Sequence, residues 1–244
     1  MSIKSLSILF FIFFSCAIFG QTKKPDFSAI TDVKAKKHAF FSYLYPLIKK
    51  QNLLIKNERS VLMAVLLDKR TIDNEVINLC KKYAKKCQNL DKARIESLLT
   101  RVDQIPPSLV LAQAANESAW GTSRFATQAN NYFGQWCFKK GCGLVPLRRN
   151  QGSQHEVRKF NSAASSVRAY LLNINTNAAY ADLRKIRAKA RSMNQPLSAL
   201  VLAEGLSRYS ERGEDYVKEI QSMIKFNRLV SIYDQQKTKQ GEKK

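Results

Sequence analysis

The sequence predicts a mainly helical α+β fold: a helical body with one small β-lobe, preceded by a helical N-terminal extension. Three observations predict it. Residues 21 to about 104 run in helical periodicity between capping residues. From Asn130 to Phe160 the texture changes to aromatic and β-branched residues around glycines, as in TyrPheGlyGlnTrpCysPhe and HisGluValArgLysPhe, which suits short antiparallel strands. After Phe160, caps and helical spacing return. A chain of 244 residues, 45% of them hydrophobic, is enough for one substantial domain plus an appendage.

The first element is a leader. Lys4 and Ser5 are followed by LeuSerIleLeuPhePheIlePhePheSerCysAlaIlePheGly, an uncharged apolar run too short to span a bilayer comfortably. Residues 1–20 read as a signal peptide cut after Gly20, which makes the chain exported, periplasmic or secreted. A second reading acylates Cys16 as a lipoprotein; against it, AlaIlePheGly after Cys16 is apolar where a tethering linker is polar. If uncut, the segment is a membrane anchor.

The extension, residues 21–104, holds an amphipathic helix capped by Thr31 or Asp32, a second that Asn57 can cap, and a third from Asp91 through Leu99. Phe40, Phe41, Tyr43, Leu44 and Leu47 form an aromatic stripe at helical spacing, which is assigned to packing. No Gly-, Pro- or Ser-rich linker comes after it, so the extension is expected to dock on the part of the chain that follows.

With the leader removed, Cys80, Cys87, Cys137 and Cys142 remain, an even set in an exported chain. Two local disulfides are the economical pairing. Cys137 and Cys142 bracket a PheLysLysGly turn. A Cys80–Cys87 bridge requires a helix break near Lys85 and Lys86, because unbroken helix holds those Cα atoms roughly 10 Å apart. There is no CxxC, and His38 and His155 sit in no ligand spacing, so no metal or cofactor is expected.

Residues 105–234 form the candidate catalytic domain, and its first helix starts near Pro107. Val110, Ala114 and Glu117 fall at i, i+4 and i+7, so this carboxylate continues an inward-facing stripe, with Trp120 close by. Poor solvation raises the pKa of such an acid toward the range of a proton donor. The competing reading pairs Glu117 with Arg124 at the helix end, and position alone does not separate the two. Later, Asn161 or Ser162 caps SerValArgAlaTyrLeuLeu, Pro196 opens LeuSerAlaLeuValLeuAlaGlu, and Gly205 and Gly213 are later helix breaks. The tail, 235–244, is expected to be disordered.

QAANESAWGTSRFA from Gln113, then ANNYFGQW, resembles the active-site signature of glucosaminidases of glycoside hydrolase family 73. FKKGCGLVP, HEVRKF and LAEGLSRYSERGEDYVKEIQSMI come next in an order similar to the Bax-type branch of that family, so the resemblance covers about Pro106 to Asn227. It implies a lysozyme-like fold and cleavage of the β-1,4 bond between N-acetylglucosamine and N-acetylmuramic acid in peptidoglycan, with Glu117 as general acid. Tyr209, seven residues ahead of Tyr216, matches the family's active-site tyrosine. Glu156, on the β-lobe, is the candidate second carboxylate, facing the sugar from the opposite wall; the alternatives are a solvated strand residue there and participation of the substrate's own N-acetyl carbonyl. Glu204 reads as a structural ion-pair residue, and Glu214 and Asp215 as caps.

Gln113, Trp120, Asn130, Asn131, Phe133 and Trp136 are candidate substrate-binding residues of these blocks. For Asn130 and Asn131 the alternative is turn formation; for Phe133 and Trp136, filling the lobe; for Trp120, packing beside the acid.

Lys+Arg 41 against Asp+Glu 19 give a formal charge of +22, which draws the chain to polyanions. The basic residues are not interleaved with aromatics, and no zinc-finger spacing or RNA-binding aromatic motif occurs, which argues against nucleic acid. Expected partners are peptidoglycan glycan strands and anionic envelope polymers. Two other functions fit the sequence: a lytic transglycosylase using the same acid, and a non-catalytic basic wall-binding module.

Overall fold

The computed structural model describes residues 23–84, 86–147 and 154–234. The expected leader, Cys16 and the basic tail lie outside the described residues.

Helix α1, Val33–Leu66, is 34 residues long and starts where the Asp32 carboxylate accepts from Ala35 N. The sequence predicts two helices here, the second capped by Asn57, and the structure has one. Phe41, Leu44, Ile48, Asn52, Ile55, Leu62 and Val65 keep a single buried stripe across Asn57. That packing outweighs the few tenths of a kcal/mol by which an exposed Asn disfavours helix interior. Asn52, buried in this stripe, clamps the backbone of one residue: its Nδ2 donates to Ile105 O and its Oδ1 accepts from Ile105 N.

Helices α2 (Asn74–Tyr83) and α3 (Lys92–Leu99) are capped by Asp73 and Asp91. Ala84 turns extended after α2, and this break brings the Cα atoms of Cys80 and Cys87 to 5.9 Å, where they form a disulfide. The break falls one residue ahead of the predicted lysines, because the last helical residue is the buried Tyr83, whose hydroxyl donates to Glu58 of α1.

Helix α4 (Pro107–Ser118) is the central one, buried along almost its whole length. Its N-terminus is capped from the far end of the chain: Asp234 accepts from Ser108 N at 2.9 Å and from the Ser108 hydroxyl. Helix α5 (Arg124–Ala129) comes next, then a three-stranded antiparallel sheet of β1 (Trp136–Cys137), β2 (Gly143–Leu144) and β3 (Glu156–Arg158) in the order β1-β3-β2. Trp136 pairs with Val157, and Gly143 with Arg158. Only glycine fits at 143, since a Cβ there lies 2.0 Å from Val157 O. The Cys137–Cys142 disulfide closes the turn between β1 and β2.

Helices α6 (Ala163–Thr176, capped by Ser162), α7 (Ala181–Ser192), α8 (Ala199–Ala203) and α9 (Glu214–Phe226) complete the body. Pro196 precedes α8, and the cap itself is Ser198. One hydrophobic core runs through the whole: Phe40, Leu44 and Ile48 of α1 belong to the same buried cluster as Leu109, Val167 and Ile220. The extension is thus docked.

An arginine hub fastens α1, α6 and α7 to the 100–105 segment. Arg187 is almost fully buried and donates to the carbonyls of Thr100, Arg101 and Asp103 and to Asn175 Oδ1. Arg191 grips both oxygens of the buried Asp103 at 2.8 and 2.9 Å. Burial pulls the Arg187 guanidinium down to about 10, with Asp103 opposing. Removing one partner of such a buried arrangement costs about 3–5 kcal/mol.

No helix among the described residues is long and apolar enough to cross a membrane. The two disulfides indicate folding in an oxidising compartment.

Candidate active site

Glu117 lies on the last turn of α4, next to a tight reversal. Ala119, Trp120 and Gly121 all take positive φ, at 49°, 58° and 78°. A non-glycine residue pays about 1 kcal/mol or more for this conformation, and the surroundings enforce it: the Ser118 hydroxyl donates to Ala114 O and accepts from Gly121 N. Trp120 is turned into a joint with α1, its ring edge-on to Phe41 and Phe40, with the Lys37 ammonium 4.8 Å above it. Position 121 admits no side chain, since a Cβ there sits 2.4 Å from the Phe27 ring.

The reversal leaves the Glu117 carboxyl half-buried beside the β-lobe and α9. Tyr216 of α9 donates to its Oε1 at 3.0 Å. Behind Tyr216, Gln113 Nε2 donates to the phenol oxygen at 3.0 Å, and the Gln113 Oε1 accepts from the buried Tyr170 hydroxyl of α6. Tyr170 stacks on Phe133 with ring centroids 3.8 Å apart. On the other side, the Oε2 oxygen faces Gly134: a Cβ on that glycine lies 3.5 Å away. Tyr209 stands over the same carboxyl. Its hydroxyl donates to Phe133 O at 3.4 Å, and its ring lies 5.1 Å from that of Tyr216.

Desolvation raises the Glu117 pKa above the ordinary carboxylate value; hydrogen bonds from Tyr216 and Tyr209 oppose the rise, and the charge of Glu219 adds to it. The helix C-terminus is also a poor place for negative charge. Burial, with the Glu117 charge, pushes both phenols far out of the physiological range, so Tyr209 and Tyr216 stay protonated donors. Arg124 does not pair with Glu117: its guanidinium donates to Val145 O.

The candidate substrate-binding residues separate by burial. Gln113, Asn131 and Phe133 are at most 2% exposed. Asn131 has its amide filled from within: Nδ2 donates to Gln135 O and Arg158 O, while Oδ1 accepts from Phe133 N and Gln135 N. Asn130 caps α5 in the left-handed region and donates to Phe160 O. Asn130 and Asn131 therefore shape the turn that carries Phe133 and sets Gly134 beside Glu117. Among the three aromatic candidates Trp136 is the most exposed, at 58%, with one ring face on His155 at 4.0 Å, while Trp120 is partly buried.

Glu156, the candidate second carboxylate, is held from within the β-lobe. It is 5% exposed, and its two oxygens accept from Gly141 N at 2.9 Å and Gly143 N at 2.7 Å. The carboxylate is thus the inner buttress of the disulfide-closed turn. Its oxygen lies close to both cysteine sulfurs, but those are consumed in their mutual bond, which leaves no ligand set for a metal.

Two residues central to this geometry carry no strong signal in the sequence. Tyr216 stands out only by its spacing from Tyr209, and Gly213 breaks the helix between them. Tyr170 lies on another helix, 57 residues from its partner Gln113.

A family model described as mannosyl-glycoprotein endo-beta-N-acetylglucosaminidase, the Glucosaminidase family, matches residues 92–229. Protein bax of Escherichia coli (strain K12) is 34% identical over 214 residues, which is 86% of this chain and 76% of the relative. The match to that relative takes in much of the N-terminal extension, and the family match begins at α3. No solved structure matches.

Proposed function

The chain belongs to the glucosaminidase family, and from that premise we propose that it is a peptidoglycan hydrolase cutting the β-1,4 bond after N-acetylglucosamine, with Glu117 as the general acid. The observation that carries this reading is the half-buried Glu117 carboxyl with raised pKa, pinned at Oε1 by Tyr216 and with Oε2 beside Gly134.

In the first step, the Oε2 hydrogen passes to the glycosidic oxygen as the bond from that oxygen to the anomeric carbon breaks. The leaving sugar departs with a free hydroxyl. With Glu156 committed to backbone amides, the carbonyl oxygen of the substrate's N-acetyl group attacks the anomeric carbon and forms a cyclic oxazolinium, one of the recognised exceptions to the two-carboxylate rule. In the second step, the Glu117 carboxylate takes a proton from water as its oxygen attacks the anomeric carbon. The ring opens, the acetamide is restored and Glu117 is again protonated.

The phenols divide the remaining work. Tyr216 holds the acid in place, and Tyr209 is in reach to orient the acetamido group. Trp136 supplies an exposed ring for stacking against a sugar face. The excess of cations favours an anionic wall polymer as the setting, and the oxidising compartment agrees with a periplasmic or secreted enzyme.

Digestion of purified peptidoglycan, with the new ends read by mass spectrometry, tests the reading. Reducing N-acetylglucosamine ends support it; 1,6-anhydro-muramic ends mean that the same acid serves a transglycosylase; no cleavage leaves only a wall-binding role.

A further inference from the structure

The arginine hub has too few carboxylates for its cations. Arg59, Arg187 and Arg191 all act on one carboxylate, that of Asp103, so the hub retains a surplus of positive charge. Partly buried charge of one sign ordinarily has a counter-charge close by. Here the surplus borders a groove of about 370 Å³ between the C-terminal half of α1 and the 100–105 segment, lined among others by Lys56, Arg59, Met63, Leu67, Lys69 and Arg191.

We propose that this groove binds a phosphate-class oxyanion. Arg59 is anchored by Nη1, which donates to Leu99 O at 2.6 Å and Val102 O at 2.9 Å and lies 3.7 Å from Asp103. Its Nε and Nη2, and Nη1 of Arg191, have no protein acceptor among the described residues. The guanidiniums are therefore held rigidly by one edge while other donors stay unused. Planar forks of this kind match tetrahedral oxyanions. Asp103 is one carboxylate already engaged by Arg191 and by Gln104 N, so its single charge is shared among the three arginines.

Lys56 and Lys69 stand exposed at the rim, where their flexible stems can close on the remaining oxygens. Two guanidinium edges and two ammonium groups call for more than one negative charge, which favours phosphate over a single carboxylate. Met63 and Leu67 are exposed beside them at 37% and 57%, an apolar shoulder for a carbon body that carries the phosphate. The groove adjoins the N-terminal end of α4 and Glu117 the C-terminal end, about 15 Å apart along the helix. An anion held there is outside the glycosidase site, and the proposal is independent of the role of Glu117.

The test tracks the Arg59 Nε–H signal in 1H–15N spectra during titration with inorganic phosphate and with glycerol 3-phosphate, at ionic strength held constant with chloride. A saturable shift, a rise in Tm with phosphate, and at least about tenfold weaker binding in Lys56→Gln/Lys69→Gln are expected, since a hydrogen bond to a charged group is worth a factor of about ten or more. Both lysines are exposed and outside the hub, so the variant keeps its fold. Co-sedimentation with phosphatidylglycerol but not phosphatidylcholine vesicles, lost in the same variant, assigns the phosphate to a lipid headgroup; binding of the small phosphates without vesicle binding assigns it to a soluble or polymer-borne group. A shift that does not saturate, that chloride alone reproduces, or that is unchanged in the lysine variant overturns the proposal.

Discussion

Tyr216 gives its hydroxyl hydrogen to Oε1 of Glu117 at 3.0 Å across 99 residues of chain, and the direction of that bond is set from the buried end. Tyr170 has Gln113 Oε1 as its acceptor, so the amide must present Nε2 to Tyr216. The Tyr216 oxygen accepts that hydrogen and turns its own to Glu117. Oε1 is thereby fixed as an acceptor, and the acidic hydrogen belongs on Oε2, next to Gly134.

Tyr216→Phe removes a bond that favours the ionised acid. The Glu117 pKa then moves further up, and the alkaline limb of kcat/KM shifts to higher pH. The variant also loses about 1–3 kcal/mol of stability, because Gln113 Nε2 is left buried without an acceptor. A pH–rate profile beside a denaturant melt checks both, and a limb that stays put or moves down contradicts the arrangement.

Glu117→Gln is expected to be more stable than wild type at neutral pH. A carboxyl whose folded pKa lies above its unfolded value binds its proton more tightly in the native state, so the native state loses stability as pH rises from the ordinary carboxylate range through the raised value. The neutral amide escapes that loss and still accepts from Tyr216. Tm measured across this window should show a gain that shrinks on acidification; a gain that grows on acidification has the wrong sign.

Gly121→Ala meets two obstacles at once, the Phe27 ring at 2.4 Å and a φ of 78°. A loss of more than about 2 kcal/mol is expected. In Phe27→Ala/Gly121→Ala the clash is gone and the backbone strain remains, so the two costs should not add. Additive losses in chemical denaturation argue that Phe27 is not what confines this reversal.

Glu156→Gln separates a buttress from a catalyst. One of two backbone amides loses a charged acceptor, for a cost of about 1–3 kcal/mol, while turnover of the folded variant stays within a few-fold of wild type. A fall in kcat of about two orders of magnitude or more, the scale of a lost acid or base, restores Glu156 to the chemistry.

Much of the scaffold was legible because its signals are local. Asp32, Asp91 and Ser162 cap helices as their sequence context indicates, Pro107 opens α4, and the helix break that a Cys80–Cys87 bridge demands occurs at Ala84. Asn57 misled because capping is a local preference, and a continuous buried stripe on both sides overrode it. The inward placement of Glu117 came from spacing, but the phenols that hold it did not: they come from α6 and α9, and only the tertiary fold brings them together. Asn131 illustrates a different limit, since an amide that fills its own turn and one that binds sugar look alike in sequence. Nothing local in the sequence marks Arg187 as the cation that the carbonyls of the 100–103 segment bury.

The titration of the Glu117 side chain bears most directly on the account. Carboxyl 13C shifts tracked against pH, with Glu117→Gln used to assign the signal, should give a midpoint above the ordinary carboxylate value that coincides with the alkaline limb of kcat/KM on peptidoglycan. A Glu117 that ionises at or below the ordinary value, or a limb that persists unchanged when Glu117 is replaced, contradicts it.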